Sequence, residues 1–364
     1  MKKIGIGVIG TGFARRVQIP AFAERDDVRL VSLASARIEN AKSVGEKFGF
    51  EHVTDDWRET VSHPDVDLVC ITTPPLTHRE MYTTTLEAGK HLIAEKPMAM
   101  SLSEANEMAE VARKHPQLLA IIDHELRFQD GRIKAREMIR NGEIGKIRHA
   151  RCTFKAPHRG DPNLEWTWWS DESQGGGALG AIGSHSIDTL HWLLDAEVSS
   201  VFCQLQTHIK VRKDSSGEER PVTSDDEANL ILRFHEGDLV DDASATISVS
   251  MTEYPEYMNR TEIFGESGSL RIDALGELWI GRPDSPDWHP IDVDLGRALL
   301  GVPETGFSRA FVTMLPYVFE AIQSGNTKID LAASFDDGVR TQKVLDAARE
   351  SAKTRCLLNL NNER

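Results

Sequence analysis

The 364-residue chain is long enough to form two domains, each with a full hydrophobic core. Charged residues make up 27% of the sequence and we find no low-complexity tract, which is typical of a globular protein. The formal charge of −15 argues against nucleic acid or an anionic membrane surface as a partner. A ligand with phosphate groups would therefore need a local basic site, for which Arg15, Arg16 and Arg37 are candidates.

The four cysteines lie far apart and form neither a Cys-x-x-Cys pair nor a metal-binding spacing. We interpret them as reduced thiols, and we expect a cytoplasmic protein with no bound metal. Residues 1–9 superficially resemble a signal peptide, but the apolar stretch is short, is interrupted by glycines and runs into a pair of arginines. No apolar run approaches the length needed to span a membrane. The cysteines are Cys70, Cys152, Cys203 and Cys356.

The apolar run Ile4–Ile9 predicts a strand that is buried on both faces. It is followed by Gly10-x-Gly12 and by a segment with helical spacing over residues 16–24. A strand, a tight glycine turn and a helix form the context of a dinucleotide-binding fingerprint. Gly10 would let the chain turn sharply, and Gly12 has no Cβ to hold the backbone away from a pyrophosphate. The N-terminus of the helix would offer N–H groups to the phosphates.

This fingerprint is incomplete, because its third glycine falls at Arg15, one residue after Ala14. Glycine pairs after a strand also arise from tight packing alone, so the motif by itself leaves both interpretations open. If a dinucleotide binds here, we expect its contacts to come from the turn and the residues directly after it. These are Gly10, Gly12, Phe13, Ala14 and Arg15.

Strand and helix patterns alternate six times in the first 122 residues. This alternation is typical of a doubly wound parallel sheet, so we predict a Rossmann-type α/β domain that binds NAD(P) over residues 1–122. We expect Gly49 and Gly89 to end two of the helices, and Ser103 to cap another. The predicted strands are 4–9, 28–35, a short one at Val53, 66–72, 91–95 and 118–122, and the predicted helices are 16–24, 38–48, 56–61, 77–88 and 103–114.

The pattern changes beyond residue 122, where strands cluster and helices become fewer. Such clustering predicts an α+β domain over residues 123–364, with an open antiparallel sheet and helices on one side. The segments 213–219 and 283–290 are predicted to be turns or loops. The predicted strands are near 147–155, 200–211, 226–235, 242–250, 260–265, 269–273 and 277–281, and the predicted helices are 131–141, 184–194, 307–324 and 335–353.

Three further motifs follow the glycine turn in order: Thr73-Pro74-Pro75-x-x-His78, Glu95-Lys96-Pro97 and Gly183-x-His185-x-x-Asp188. Together, these motifs resemble the Gfo/Idh/MocA oxidoreductases, the relatives of glucose–fructose oxidoreductase and inositol dehydrogenase, and the segment 335–352 resembles that family's C-terminal helix. The resemblance covers nearly the whole chain. It implies a nucleotide-binding domain joined to an open-faced sheet domain, which often pairs sheet to sheet in homodimers or homotetramers. The implied reaction is hydride transfer between NAD(P) and a sugar, polyol or related carbonyl compound.

Lys96 is the first candidate catalytic residue, because an ammonium at the end of a strand could hydrogen-bond the reacting oxygen and exchange its proton. The alternative is a surface lysine. Glu95 could contact the ligand or simply pair with Lys96. By the resemblance, His185 would move the hydroxyl proton, although a histidine packed in the core is the alternative. Asp188, one helical turn later, could orient His185, bind substrate, or cap or solvate its helix.

One position departs from the family pattern. Many members place an aspartate four residues before this histidine, where this chain has Ala181. Either Lys96 and His185 suffice, another residue compensates, or the chemistry differs. The departure favours one alternative to a dehydrogenase, a hydrolase or lyase that uses the nicotinamide transiently. A further alternative is a non-catalytic cofactor-binding sensor, although a sensor would not need both Lys96 and His185. The candidates for compensation are Asp123, Glu125, Arg127 and Lys155.

The second predicted strand ends in Ser35, with Arg37 two residues later and no acid before Glu39. NAD sites usually have Asp or Glu here to accept from the ribose hydroxyls, whereas a hydroxyl and a guanidinium suit a 2′-phosphate. We therefore predict a preference for NADP, with NAD as the other form to consider. The alternative is that Ser35 only caps the next helix and Arg37 is solvated.

The remaining candidates concern the walls of the site. In the family, a loop like Thr73-Pro74 lines the nicotinamide ribose, and His78 would help to hold it; alternatively, Thr77 is a helix cap and His78 an exposed residue. Arg127 could bind the substrate or form a salt link between domains. Trp168 is our candidate for a surface on which a sugar ring packs, although at least two of Trp166, Trp168 and Trp169 should belong to a core or an interface.

Overall fold

The computed structural model describes residues 3–360; Met1 and Lys2, which begin the stretch that resembles a signal peptide, lie outside the described residues. The chain forms two compact units. The first comprises the described residues up to Phe128 together with Gly296–Val339, and the second comprises Gln129–Leu295 together with the described residues from Arg340 onward. This division differs from the predicted boundary at residue 122, because a late segment of the chain returns to the first unit.

The first unit contains a six-stranded parallel sheet in the order β3-β2-β1-β4-β5-β6. This confirms the predicted doubly wound α/β arrangement, with the reversal of strand order lying between β1 and β4. The strands are β1 (Ile4–Ile9), β2 (Val28–Ala34), β3 (His52–Thr54), β4 (Leu68–Ile71), β5 (His91–Ala94) and β6 (Ala120–Ile122), and the helices are α1 (Gln18–Ala23), α2 (Ile38–Phe48), α3 (Trp57–Ser62), α4 (His78–Glu87) and α5 (Leu102–Lys114).

The predicted cap of α5 and the predicted start of α1 differ from the structure. Helix α5 is capped by Ser101 rather than Ser103: the Ser101 hydroxyl accepts a hydrogen bond from the N–H of Glu104 at 3.3 Å. Helix α1 begins at Gln18, because the preceding residues form turns in which the N–H groups of Arg16 and Val17 both donate to the carbonyl of Phe13. The prediction placed this start at residue 16, directly after the glycine turn.

The second unit contains a nine-stranded sheet in the order β16-β15-β14-β13-β7-β12-β11-β8-β17, and a separate two-stranded hairpin of β9 and β10. Helices α6 (Asp130–Arg140) and α7 (Ser184–Leu194) also belong to this unit. The strands are β7 (Ile147–Lys155), β8 (Val198–Gln206), β9 (Val211–Lys213), β10 (Glu219–Pro221), β11 (Glu227–Phe234), β12 (Val240–Ser250), β13 (Met258–Gly265), β14 (Ser269–Ile272), β15 (Leu278–Gly281), β16 (Trp288–Ile291) and β17 (Leu358–Asn359).

The large sheet is mixed rather than purely antiparallel, because its central strands β7 and β12 pair in parallel. The other neighbours pair antiparallel, as predicted. Strands β10 and β16 lie within or beside segments predicted as loops. They are short and rich in polar residues and proline, so they lack the alternation by which a strand is recognised in a sequence.

One face of the large sheet is buried and the other is open. Along β11 and β12, buried apolar residues alternate with more exposed ones, and Ile231 on the open side is 55% exposed. Helices α6 and α7 pack against strands of this sheet. On α6, a Cβ on Gly131 would lie 1.8 Å from the carbonyl oxygen of Gly276, so only glycine allows the helix to approach the β14–β15 turn this closely.

Helix α8 (Gly306–Ser324) belongs to the first unit, although the sequence pattern assigns it to the second domain. It packs on α1 through Phe311 and Phe319, whose ring centroids lie 5.8 Å and 6.3 Å from that of Phe22. Helix α9 (Phe335–Thr354) begins in the first unit and ends in the second. Within residues 3–360, no helix combines the length and apolar character that crossing a membrane requires.

Candidate active site

The glycine turn after β1 has the geometry that a pyrophosphate would need. Gly10 has a φ of +102°, and a Cβ there would lie 2.5 Å from the carbonyl oxygen of Thr72, so both conformation and space require glycine. By contrast, a Cβ on Gly12 would meet nothing within 4 Å, which leaves open space above the backbone. The turn therefore fits a dinucleotide phosphate.

The residues after the turn also leave donors available. Within residues 3–360, the N–H groups of Thr11, Gly12, Phe13 and Ala14 donate to no protein acceptor. Ala14 is fully buried, so a small side chain occupies the packed position after the turn. Arg15 stands where the fingerprint has its third glycine, and its side chain is exposed rather than packed in the core. This explains how the chain keeps the turn without the third glycine of the fingerprint.

Thr73, Pro74 and His78 are brought together at the carboxyl end of β4. The imidazole of His78 is fully buried, with Nε2 2.9 Å from the carbonyl oxygen of Thr73 and Nδ1 3.1 Å from that of Pro97. Burial lowers the pKa of His78 to about 4, although these carbonyls favour the charged ring. The side chain of Thr77 forms no helix-cap hydrogen bond, and its hydroxyl donates to the Pro74 carbonyl instead. His78 thus bridges the loops after β4 and β5, and the exposed-residue alternative is wrong.

Lys96 lies at the carboxyl end of β5, beside Glu95. The Nζ of Lys96 is 3.9 Å from Oε2 of Glu95, and the lysine side chain remains 19% exposed. The carbonyl of Glu95 accepts a hydrogen bond from the hydroxyl of buried Tyr82 at 2.8 Å. Lys96 therefore follows a residue that is fixed at the strand edge, and its side chain is mostly buried.

A buried polar network lies behind Lys96. Nε2 of Gln18 donates to Glu95 at 3.2 Å and to Asp123 at 2.9 Å, and its Oε1 accepts from the Cys70 thiol at 3.3 Å. Burial raises the pKa of Glu95, and it raises the pKa values of Asp123 and nearby Glu125 well above their usual range. The carboxyl ends of three neighbouring strands are thus joined through one glutamine.

Arg127 lies in the first unit and has partners there. It is buried, its Nη2 lies 3.4 Å from Oδ1 of Asp337, and its Nη1 donates to the carbonyl of Ala332 at 3.5 Å. This ion pair ties the 3-10 helix after β6 to the segment that returns from the end of the chain. Both roles considered for Arg127, substrate binding and a salt link between domains, stay predictions.

Ser35 and Arg37 follow β2 as predicted. The buried hydroxyl of Ser35 is hydrogen-bonded to that of Thr11 at 3.1 Å, which links the end of β2 to the glycine turn. The residue at the N-cap of α2 is Arg37, not Ser35, so the alternative role of Ser35 as a cap is wrong. The side chain of Arg37 is exposed, and the first acid of α2 is Glu39.

In the second unit, His185 lies in the first turn of α7 and is buried. A π-helical turn, Leu179–Gly183, leads into α7, and such turns are frequent at functional sites. The carboxylate of Asp225 accepts from the N–H of Leu179 at 2.7 Å and fixes the start of this turn. A Cβ on Gly183 would lie 3.2 Å from the nearest side-chain carbon of Leu179, so the space beside this glycine is narrow.

Asp188 is buried, which excludes the solvated alternative. It lies close enough to Arg132 to favour the charged guanidinium, although burial prevails and lowers the pKa of Arg132 to about 10. Arg132 donates to Thr189 at 3.2 Å and to Gln129 at 2.8 Å. Asp188 is thus next to a buried cation on α6 that sequence reasoning did not identify.

The three tryptophans before α7 are all half-buried. Trp166 donates to the carbonyl of Pro221 at 2.9 Å, and the guanidinium of Arg159 lies 3.8 Å from the ring centroid of Trp169. These two rings thus have partners within the protein, and the prediction that at least two of the three belong to a core or an interface stays a prediction. Trp168 begins a 3-10 turn and stays our candidate for a sugar contact.

The candidates that could compensate for Ala181 lie in different surroundings. Asp123 and Glu125 belong to the buried network behind Lys96, whereas Lys155 forms an ion pair with Glu253 at 2.8 Å. Lys155, the last residue of β7, therefore already has a carboxylate partner in the second unit. Within the described part of the chain, no group of His, Cys, Asp or Glu has the arrangement of a metal site.

Sequence reasoning missed Gln18 and Arg132. Each is a polar residue among apolar ones: Gln18 lies between Val17 and Ile19, and Arg132 shares a helix face with Ala135 and other buried residues. A long polar side chain on the buried face of a helix requires buried partners. That signal could have marked both residues, but it could not have identified the partners.

Comparison with known proteins agrees with this architecture. Residues 4–122 match the oxidoreductase family described as having an NAD-binding Rossmann fold, and residues 133–271 match the GFO/IDH/MocA C-terminal domain. Levoglucosan dehydrogenase of Pseudarthrobacter phenanthrenivorans is 30% identical over 97% of each chain. Solved structures of levoglucosan dehydrogenase are also similar. Its complex with NADH and levoglucosan has a TM-score of 0.87 at 26% identity, covering 99% of this chain and 100% of that one.

A second complex of that enzyme, with NADH and L-sorbose, has a TM-score of 0.87 at 27% identity over 99% of both chains. The family matches fall on the two parts of the chain that the sequence motifs distinguish, and they include the glycine turn and the segment that carries Lys96. The chain is therefore an enzyme of the GFO/IDH/MocA oxidoreductase family, with an NAD-binding Rossmann domain followed by the family's C-terminal domain.

Proposed function

We propose that this protein is an NADP(H)-dependent oxidoreductase that acts on a sugar, a polyol or a related carbonyl compound. The observation that carries the proposal is Lys96, held beside Glu95 at the strand edge of a chain that aligns over nearly its whole length with a sugar dehydrogenase. When bound, the nicotinamide would accept or supply the hydride at its C4 atom. The glycine turn would hold the pyrophosphate through the N–H groups after Gly12.

Lys96 and His185 handle the proton of the substrate hydroxyl in this proposal. The ammonium of Lys96 would donate a hydrogen bond to the reacting oxygen and pass its proton to that oxygen during reduction. Histidine changes its charge near neutral pH, which suits a group that returns this proton. Arg127, Asp188 and Trp168 are proposed to contribute to substrate binding, of which Trp168 is the most accessible.

The test is oxidation of anhydrosugars, ketoses and polyols, with NADP+ and NAD+ compared and reduced nicotinamide followed by its absorbance. Lys96→Ala should lower kcat by roughly 100-fold or more while the cofactor Kd stays within about threefold. Lys114→Ala, which removes an exposed lysine of the same unit, is the matched control. Lost cofactor binding with normal turnover would contradict the role of Lys96. Substrate consumption without net reduced cofactor would instead indicate the hydrolase or lyase.

We propose NADP rather than NAD as the preferred cofactor. The support is Ser35 at the end of β2 and the exposed guanidinium of Arg37, where an NAD site usually has an acid. Ser35→Asp should weaken NADPH binding at least tenfold because a carboxylate repels the 2′-phosphate. The Ser35→Asp variant should bind NADH as tightly as the wild type or more tightly. A wild-type protein that binds NADH more tightly than NADPH in calorimetry would overturn this preference.

We also propose that the protein forms a homodimer or homotetramer through the open face of its large sheet. The support is the exposed apolar side chain of Ile231 on that face, beside alternating polar residues. Ile231→Asp should shift the sedimentation of the full chain toward the monomer without changing its secondary structure. A wild-type monomer at micromolar concentration would contradict the proposal.

A further inference from the structure

Gln18 is a buried amide whose orientation is fixed by its three partners. The Cys70 thiol donates to Oε1, so both hydrogens of Nε2 are directed toward Glu95 and Asp123. Gln18 has no exposed surface, and Asp123 is only 1% exposed. The amide therefore holds both carboxyl groups at one buried nitrogen.

The pair of carboxyl groups cannot both be ionised at low cost. Their oxygens accept from the same nitrogen, and two negative charges at this separation repel strongly in a poorly polarisable interior. Lys96 offers one positive charge, and it lies 3.9 Å from Glu95. Among Gln18, Glu95, Asp123 and Lys96 there is thus one positive charge, which can balance one ionised carboxyl group but not two.

Asp123 is the member better suited to hold a proton. Its Oδ1 atom is buried and, within residues 3–360, accepts no hydrogen bond, whereas both oxygens of Glu95 have donors. Burial and the charge of Glu95 raise the pKa of Asp123 well above its usual range. Around the pair, Glu125, Cys70 and Tyr82 also have raised pKa values, chiefly because burial disfavours the charged form of each.

We propose that Asp123 is protonated in the resting protein, and that Gln18 and Asp123 are positioning residues that keep Glu95 as the ionised carboxyl group of the pair, beside Lys96. This inference rests on the function proposed for Lys96. With Asp123 neutral, the pair contributes one negative charge beside Lys96. A second charge would hold the proton on the amine more firmly and slow its transfer to the substrate oxygen.

The protonation of Asp123 can be tested without any substrate. Infrared difference spectra of the wild-type protein minus Asp123→Asn should show the carbonyl band of a protonated carboxylic acid, and the band should persist from about pH 6 to about pH 8. Only carboxylate bands in that range would overturn the inference. Because this measurement needs neither turnover nor cofactor, it stands even if the proposed reaction is wrong.

The positioning role is tested by Gln18→Met, which keeps the length of the side chain but loses both donated hydrogen bonds. We expect kcat to fall about tenfold, with the substrate KM and the NADPH Kd within about twofold of wild type. The kcat-against-pH profile should also shift, which a merely structural role would not cause. Gln117→Met, at an exposed position of the same unit, is the control.

Two outcomes of the kinetic test would overturn the positioning role. One is a Gln18→Met protein with the kcat and pH profile of the wild type. The other is a loss that appears in KM and Kd rather than in kcat. A wild-type protein that turns over none of the sugars would instead contradict the proposed function, and the infrared result would then decide the state of Asp123 by itself.

Discussion

We expect substitutions of Gly10 and Gly12 to have different effects: Gly10→Ala should lower the stability of the fold, and Gly12→Ala should weaken cofactor binding. An added Cβ at Gly12 meets no atom within 4 Å, so Gly12→Ala should change the free energy of unfolding by no more than about 0.5 kcal/mol. The same methyl group would occupy the space in which we place the pyrophosphate. We therefore expect the NADPH Kd to rise at least tenfold, which corresponds to about 1.4 kcal/mol.

Gly10→Ala should behave in the opposite way. Its φ of +102° is unfavourable for any residue with a Cβ, and that Cβ would lie 2.5 Å from a backbone oxygen that cannot easily move. We expect a loss of about 2–4 kcal/mol in the free energy of unfolding of the apo-protein. Urea denaturation followed by circular dichroism gives this quantity, and calorimetry with NADPH gives the affinity of each folded variant.

Gly237→Ala is the control for both variants, because the nearest atom to its added Cβ is 3.4 Å away and the residue lies far along the chain from the glycine turn. It should match the wild type in stability and in NADPH affinity. The reasoning is refuted if Gly12→Ala binds NADPH as tightly as the wild type. It is also refuted if Gly12→Ala loses as much stability as Gly10→Ala.

Three further predictions concern stability. The native pKa of His78 is about 4, below that of the unfolded chain, so the unfolded state takes up the proton first as the pH falls from about 6.5 to 4. Wild-type stability should decrease by about 3 kcal/mol through this group, and His78→Gln should remove that slope in urea denaturation at several pH values. Desolvation raises the pKa of Asp225 to about 6, so the native state keeps the proton longer, and this group should lower stability as the pH rises from about 4 to 6. Asp225→Asn should remove a stability loss of about 2 kcal/mol over this pH range, a value reduced from that of full burial because the residue is partly exposed. If the dependence of stability on pH is the same in Asp225→Asn as in the wild type, the raised pKa of Asp225 is contradicted. Gly131→Ala should lower the free energy of unfolding by about 3 kcal/mol or more, or prevent folding, because its Cβ would overlap the Gly276 carbonyl. Gly142→Ala is the control: with φ +72° and open space around the Cβ, it should lower the free energy of unfolding by only about 1 kcal/mol, measured by thermal or urea unfolding.

Much of the first unit could be predicted from the sequence because its signals are local. The apolar run of β1, the glycine turn and the alternation of strands with helices depend on neighbouring residues, and helix α2 spans Ile38–Phe48 as predicted. The family motifs are also short stretches of sequence. They identified the family, which the comparisons confirm, and they selected Lys96 and His185 as candidates whose roles stay predictions.

The partners of the candidate residues could not be predicted in this way. Gln18 meets Glu95 and Asp123 across 77 and 105 residues of sequence, and nothing local to Gln18 specifies these carboxyl groups. Arg127 is similar: the sequence marks an arginine near a junction, but not its ion pair with Asp337. Such pairs form because the buried polar group needs a partner and the packing brings one within reach.

The sequence by itself determined the order and type of most elements, the glycine turn and the family, because periodicity and short motifs are written in consecutive residues. The tertiary structure alone decided that α8 joins the first unit, that β7 and β12 pair in parallel, and that one glutamine joins the carboxyl groups behind Lys96. Each of these depends on which distant surfaces bury each other most completely, and that choice is made by the packing of the whole chain.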